Sequence, residues 1–397
     1  MKNRGYLRIR LSIAPVRLAI PFILIGLVTI SGCSHTRPYY RGGLHPSPQP
    51  LPESNELRFR LLLAGDAGAP REDEPNLILM TEWAAKNPEK TLVIFLGDFL
   101  YDNGMPVEQA TDRREMERRI QAQIDVIKNS GCRGFFVAGN HDWWQGAPGL
   151  QRAADYIEAQ LGTEDGLLPP AGWIGPAIVD VENIRILAID SNLWINPHLQ
   201  PVGSSPQQTL DDSIADLRDA LLSAGNRFVV VAAHHPLDSH GSHGGFYDWK
   251  DHLFPLTAWI DWLWVPLPII GSLHPLLRWN VVRHYEELNS TRYKKMIEDF
   301  GDAFDLKKPL LYAAGHDHAL QVLEGESVGY IIVSGAGIDS RLSKVTDGAN
   351  TLFAHLHTGF MAVDFLQDGE TWLYVVEPGP EEVVFAMRLE TQSENRR

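Results

Sequence analysis

Five short segments of this sequence put cation-binding side chains at the ends of apolar runs. Residues 57–64 lead into Gly65-Asp66-Ala67-Gly68, and residues 92–96 into Gly97-Asp98, with Tyr101 three positions on. Residues 135–138 lead into Gly139-Asn140-His141-Asp142, residues 228–233 into His234-His235-Pro236, and residues 310–314 into Gly315-His316-Asp317-His318. Asp66, Asp98, Tyr101, Asn140, His234, His316 and His318 are oxygen and imidazole donors, with no thiolate among them. Such a set suits Fe, Mn, Zn or Co. Seven donors exceed what one ion needs, whereas two ions sharing a carboxylate would use them all. Two metals ~3.5–4 Å apart clamp the attacking and leaving oxygens of a phosphoryl transfer.

The elements that must position these residues are legible as well. Short apolar runs closed by glycine-containing turns read as buried strands. Helical patterns lie between them, at 112–129 and 210–223. The alternation predicts an α/β architecture. Ligands in such sheets bind beyond the carboxyl ends of the strands, so five polar loops should converge on one edge. No Walker loop, dinucleotide fingerprint, G-x-S-x-G elbow or internal repeat is present.

Each turn alone is weak evidence, because Gly-Asp at a strand end is most often only a turn. Five in this order are a motif set. They resemble the calcineurin-like metallophosphoesterase superfamily, and within it the purple acid phosphatases of the tartrate-resistant type. That family's motifs G-D-x-G, G-D-x-x-Y, G-N-H-[DE], V-x-x-H and G-H-x-H are all complete between residues 65 and 318. The resemblance implies a four-layer β-sandwich flanked by helices, with a dinuclear site at the C-terminal strand ends. By motif, the first metal takes Asp66, Asp98, Tyr101 and His318. The second takes Asp98, Asn140, His234 and His316, with Asp98 bridging. Most of the superfamily opens with Asp-x-His; here Gly68 stands at that histidine's position and Tyr101 supplies a phenolate instead. A phenolate favours Fe(III) at the first site, with Fe(II), Zn or Mn at the second. His141 is expected to contact the phosphate, with Asp142 orienting it. The general acid is sought among His235, His240 and His243, with His240 favoured because His234-His235-Pro236 precedes His240-Gly241.

The N-terminus carries a different signal. Lys2, Arg4, Arg8, Arg10 and Arg17 precede an uncharged apolar stretch of 13 residues, 18–30. That is short of the ~20 residues a spanning helix needs. A basic region before a short apolar one reads as a secretory signal peptide. Ile30-Ser31-Gly32-Cys33 resembles the bacterial lipobox, which implies lipidation at Cys33 and anchoring to the cell envelope, on the outer membrane in a Gram-negative cell. The expected organisation is a leader at 1–33, a proline-rich tether at 34–56, a catalytic domain at 57–390 and a polar tail at 391–397. Within the domain, residues 246–288 form an insertion carrying five of the 11 tryptophans. Its readings are a packed subdomain, or a lid or interfacial wedge.

A net charge of −15 excludes a general nucleic-acid binder, which needs a basic face. Two cysteines, Cys33 and Cys132, exclude a disulfide framework. The function expected is phosphomonoester hydrolysis by metal-activated water, on a substrate that the anchor would allow to be amphiphilic. The alternatives are a phosphodiesterase acting on nucleotides or lipid headgroups, and a non-catalytic metal-binding surface lipoprotein.

Overall fold

The computed structural model describes residues 34–43, 56–201, 209–258, 262–267 and 271–390. The leader, the lipobox cysteine and the polar tail lie outside the described residues. The chain divides into two compact units. The larger comprises Ser34–Phe246 and Arg283–Arg397; the described part of the smaller is Tyr247–Val282.

In the larger unit, fourteen described strands form two sheets. The six-stranded sheet holds β2 (Leu57–Ala64), β3 (Thr91–Phe95), β4 (Arg133–Phe136), β12 (Phe360–Leu366), β13 (Thr371–Val376) and β14 (Val383–Arg388), in the order β14-β13-β12-β2-β3-β4. The eight-stranded sheet holds β1 (Tyr39–Tyr40), β5 (Ala177–Val181), β6 (Ile184–Ala188), β7 (Phe228–Ala232), β8 (Leu311–Ala314), β9 (Leu320–Glu324), β10 (Tyr330–Ser334) and β11 (Thr351–His355). Its order is β1-β11-β9-β10-β8-β7-β6-β5. The runs β2-β3-β4 and β6-β7-β8-β10 are parallel.

Strand side chains alternate between faces, and here both faces are apolar. Leu61, Leu63 and Ile94 meet Ile186, Val230 and Ala313 in one core between the sheets. Their neighbours Leu62, Val93, Phe95, Val231 and Tyr312 face outward, into a second core with the helices. Helices α1 (Pro75–Ala85) and α2 (Arg113–Ser130) cross over within β2-β3-β4, and α3 (Gly146–Leu161) packs beside α2. Helices α4 (Leu210–Leu222) and α5 (Thr291–Phe304) cross over within β6-β7-β8 and pack together. The result is the expected α/β arrangement of four layers, helix–sheet–sheet–helix.

Local chemistry sets the helix ends. Gly131, at φ 73°, closes α2 by donating to the carbonyls of Ile127 and Lys128. Thr209 and Asp212 form a capping box that opens α4. Ile120, Ile124 and Ile127 recur at helical spacing and bury the inner stripe of α2.

The described part of the tether expected at 34–56 corrects that expectation. Residues 34–43 do not behave as a tether. Tyr39 and Tyr40 pair with Ala354 and Phe353 as an edge strand, and Ser34 and His35 bond to Val345. Edge strands offer unpaired backbone groups, and this segment satisfies those of β11.

The smaller unit contains short helices at Trp249–Leu253 and Leu273–Leu277 and a π-helical turn at Arg278–Val282. It exposes Trp262, Trp264, Leu276, Val281 and Val282.

Candidate metal centre

All five motif loops leave the carboxyl ends of parallel strands. Asp66, Asp98 and Asn140 follow β2, β3 and β4; His234 and His316 follow β7 and β8. The two sheets meet across this edge. His316 N donates to Asp66 Oδ2 at 2.8 Å, and His234 Nδ1 donates to the Leu96 carbonyl at 2.8 Å.

The loops are tight by necessity. Asp66, Asp98 and His316 adopt φ of 61°, 52° and 70°, where non-glycine residues are uncommon. Backbone in such a region costs on the order of 1–3 kcal/mol per residue and persists where its surroundings hold it. Gly68 explains the altered first motif. A Cβ there would lie 2.5 Å from Leu100 N and 2.6 Å from Asp98 O, so the second loop runs directly against it. Tyr101 N donates to the Gly68 carbonyl at 3.1 Å. That contact brings the phenol to the centre, where Tyr101 Oη donates to Asp66 Oδ1 at 2.8 Å and lies 3.0 Å from His318 Nε2.

Two groups of side chains are spaced to hold a metal ion. Asp66, Asp98 and His318 form one; His234, His235 and His316 form the other, with ligand atoms within 4.8 Å of one another in each. Asp98 borders both, since its Oδ2 lies 3.6 Å from His234 Nε2. Ring orientations follow from the backbone. His318 Nδ1 donates to the Arg341 carbonyl, and His234 Nδ1 is already committed to Leu96, so both rings turn Nε2 inward: His234 toward Asn140, and His318 toward Asp66 Oδ1 at 3.3 Å. His234 Nε2 faces Asn140 Oδ1 at 3.0 Å. Lone pairs of His234, Asn140 and Asp98 thus converge with no proton donor between them. His235 Nε2 is buried without a hydrogen-bond partner. Converging acceptors of this kind fit a bound cation, and the oxygen-and-imidazole set fits Fe, Zn or Mn.

The electrostatics agree. Burial, reinforced by the neighbouring Asp66 and Asp98, pushes the Tyr101 phenol well above its usual range. Burial raises Asp66, but the hydrogen bond and charge of His318 outweigh it and bring the carboxyl to about 2. Burial likewise lowers His318, and the same partner more than compensates, to about 9. His235 and His316 are driven well below the usual imidazole range by burial and by neighbouring histidines. They are neutral, the state in which imidazole binds metals.

Two expectations change at the second row. Asp142 does not orient His141. Its carboxylate accepts the backbone N–H groups of Asp98, Leu100 and Gly139 at 2.8–3.0 Å, tying the second and third loops together. The His141 ring is held instead by its Nδ1–H donating to the Asp102 carbonyl at 2.7 Å, with Nε2 4.0 Å from Asp98 Oδ2. His240 is turned elsewhere: its Nε2 meets Asn350 Oδ1 at 2.8 Å, beside the end of β9 remote from the motif loops. His243, another of the three candidates, stands beside the cluster instead, its ring centroid 4.0 Å from that of His316 and its Nδ1 4.0 Å from the buried Glu287. Asp317, buried, accepts from His243 N and Ser239 Oγ and fixes that loop.

Other residues at the site carry no motif. The Arg341 guanidinium lies 4.3 Å from the Tyr101 ring centroid and pairs with Asp102. Trp144, largely exposed, runs parallel to His141 with centroids 6.4 Å apart. Only the fold brings the loop after β10 to this edge, so no spacing in the sequence could have found Arg341.

This sandwich, with its cation-binding edge, is that of a metal-dependent phosphoesterase. The chain belongs to the calcineurin-like phosphoesterase family, whose sequence profile matches residues 59–264. It is 24% identical over 285 residues to the 3′,5′-cyclic adenosine monophosphate phosphodiesterase CpdA of Pseudomonas aeruginosa, covering 71% of this chain and 78% of that one. Solved structures share the fold as well. GAP50, the anchor in the inner membrane complex of Plasmodium, superposes with a TM-score of 0.52 at 17% identity, over 85% of this chain and 90% of its own. Purple acid phosphatase PPD1 from yellow lupin (Lupinus luteus) seeds gives 0.51 at 15%, over 83% of this chain and 53% of its own. The protein is therefore a hydrolase of phosphate esters, of a family that uses two metals.

Proposed function

We propose that the protein is a lipid-anchored phosphomonoesterase of the bacterial cell envelope. The observation that carries the catalytic reading is the Tyr101 hydroxyl set between Asp66 and His318, beside a second, imidazole-rich group. Asp66, Asp98, Tyr101 and His318 would hold one metal, with Fe(III) suited to the phenolate. Asp98, Asn140, His234 and His316 would hold Fe(II), Zn or Mn. Bound there, the pair supplies Lewis acidity and an activated water.

The remaining work falls to the chain itself. His141 gives its Nδ1–H to the Asp102 carbonyl, which turns its Nε2 toward the place a phosphate oxygen would take beside Asp98. Asp142 holds the two loops on which Asp98 and His141 ride. His243 replaces His240 as donor of the leaving-group proton, because it faces the His316 side of the centre. His235, buried against Ser191, is a structural imidazole of the second group.

A second reading, phosphodiester hydrolysis, is favoured by the cyclic-nucleotide phosphodiesterase relative. The test compares p-nitrophenyl phosphate with bis-p-nitrophenyl phosphate, after reconstitution with Fe and with Zn or Mn, beside Asp98→Asn. Faster monoester turnover, lost in the variant, is the expected result. Faster diester turnover would select the second reading. Metal uptake with neither turnover would leave a binding protein.

A further inference from the structure

Residues 34–40 are fastened to the same loop that borders the metal centre. Ser34 Oγ accepts from Val345 N at 3.0 Å and donates to Val345 O at 3.2 Å. His35 N donates to Val345 O at 2.9 Å, and Leu356 N to His35 O at 2.8 Å. Tyr39 packs against the cluster of Ala319, Val345 and Ala354. Two residues before Val345, Ser343 N donates to the His318 carbonyl at 3.0 Å, and Arg341 O receives His318 Nδ1. Val345 also bridges Gly241, in the loop that carries His243. Ser34 and the catalytic edge therefore share one short piece of chain. With ~3.8 Å per residue step, that path puts Ser34 within about 20 Å of His318.

We propose that this docking holds the catalytic cleft at the surface of a lipid bilayer, and that the substrates are phosphate esters carried by membrane lipids. The proposal rests on the esterase reading above and on acylation of Cys33, one peptide bond before Ser34. An anchor with no slack therefore keeps the cleft within about 20 Å of the headgroup layer, which is itself ~5–7 Å deep. A flexible linker of about twenty residues would instead add a mean span of about 25 Å. The smaller unit offers an independent observation. It exposes Trp262 at 77%, Val281 at 69% and Val282 at 66%, the aromatic and aliphatic side chains that partition into membrane interfaces.

The test uses the processed, full-length lipoprotein in vesicles of phosphatidylethanolamine and phosphatidylglycerol doped with phosphatidic acid. Phosphate release is followed, with p-nitrophenyl phosphate as the soluble control. A Ser-Gly linker of about twenty residues is inserted between Cys33 and Ser34. The insertion is expected to lower phosphatidate hydrolysis at least about tenfold and to leave p-nitrophenyl phosphate turnover unchanged. Equal phosphatidate rates with and without the linker would overturn the proposal. So would hydrolysis of the soluble ester without hydrolysis of vesicle phosphatidate, an outcome that leaves the esterase reading standing. Failure with both esters would remove that reading, and this proposal with it.

Discussion

The two sheets contribute different chemistry to the same edge. The six-stranded sheet supplies oxygen: Asp66, Asp98, Tyr101 and Asn140. The eight-stranded sheet supplies nitrogen: His234, His235, His316 and His318. Oxygen ligands carry the negative charge, and buried carboxylates are costly without a counter-charge. Neutral imidazoles tolerate burial and tune geometry instead. The division places the charge-compensating work on one sheet and much of the aiming on the other. The centre exists only where they meet, so whatever shifts one sheet against the other should disturb it.

The sharpest way to break the comparison is to remove one residue from each side. Asp98 borders both groups, so Asp98→Ala should release both metals and lower kcat by more than about a thousandfold. His316→Ala should release one metal and cost about a hundredfold. Metal analysis beside steady-state kinetics reads this out; an Asp98→Ala protein that keeps both ions would sink the division.

The second test separates two imidazoles of the nitrogen side. His243→Ala should lower kcat on an alkyl phosphate by about a hundredfold, since that leaving group needs a proton. p-Nitrophenolate needs none, so that ester should be nearly unaffected. His240→Ala should change neither rate, because its ring is engaged with Asn350. Equal losses in the two variants would contradict the assignment.

On the oxygen side, Gly68→Ala drives a Cβ into the backbone of the second loop and should destabilise by about 1–3 kcal/mol. In an iron-loaded protein it should also shift the tyrosinate absorption, as Tyr101 moves. An unchanged melting temperature and spectrum would argue against the contact.

The last test leaves activity aside and concerns the stability of the seam itself. Trp143, from the oxygen side, donates to Asp190 Oδ2 at 2.8 Å, just beyond β6. Burial pushes the Asp190 carboxyl from 3.8 up to about 7. A raised carboxyl favours the protonated acid, so this contribution is complete below pH 3.8 and is lost as pH rises to about 7. The slope is about 1.4 kcal/mol per unit. Asp190→Asn should flatten that slope in chemical denaturation. An unaltered profile would show that Asp190 ionises freely.

Much of this was legible before folding was considered. The strand at 57–64 was read to the residue, and those near 92–96 and 228–233 to within one, because apolar runs between glycine turns have few other uses. The motif residues share one edge as expected, since chemistry at a parallel strand's carboxyl end is a rule of the architecture. His240 and Asp142 were misread because a sequence gives a residue's type but not its direction. Both lie within a few positions of the site, and both point away from the group they were meant to serve. Residues 34–43 were misread because proline-rich composition predicts stiffness, not docking.

By itself, then, the sequence determined which donors are present, which strands deliver them and which charge must be balanced, because these follow from side-chain chemistry and local periodicity. The tertiary structure alone decided which donors stand together, which imidazoles border them and how close Ser34 lies to them. Those depend on contacts between residues up to 311 positions apart, such as Ser34 with Val345. Only the packing of two sheets brings such residues together.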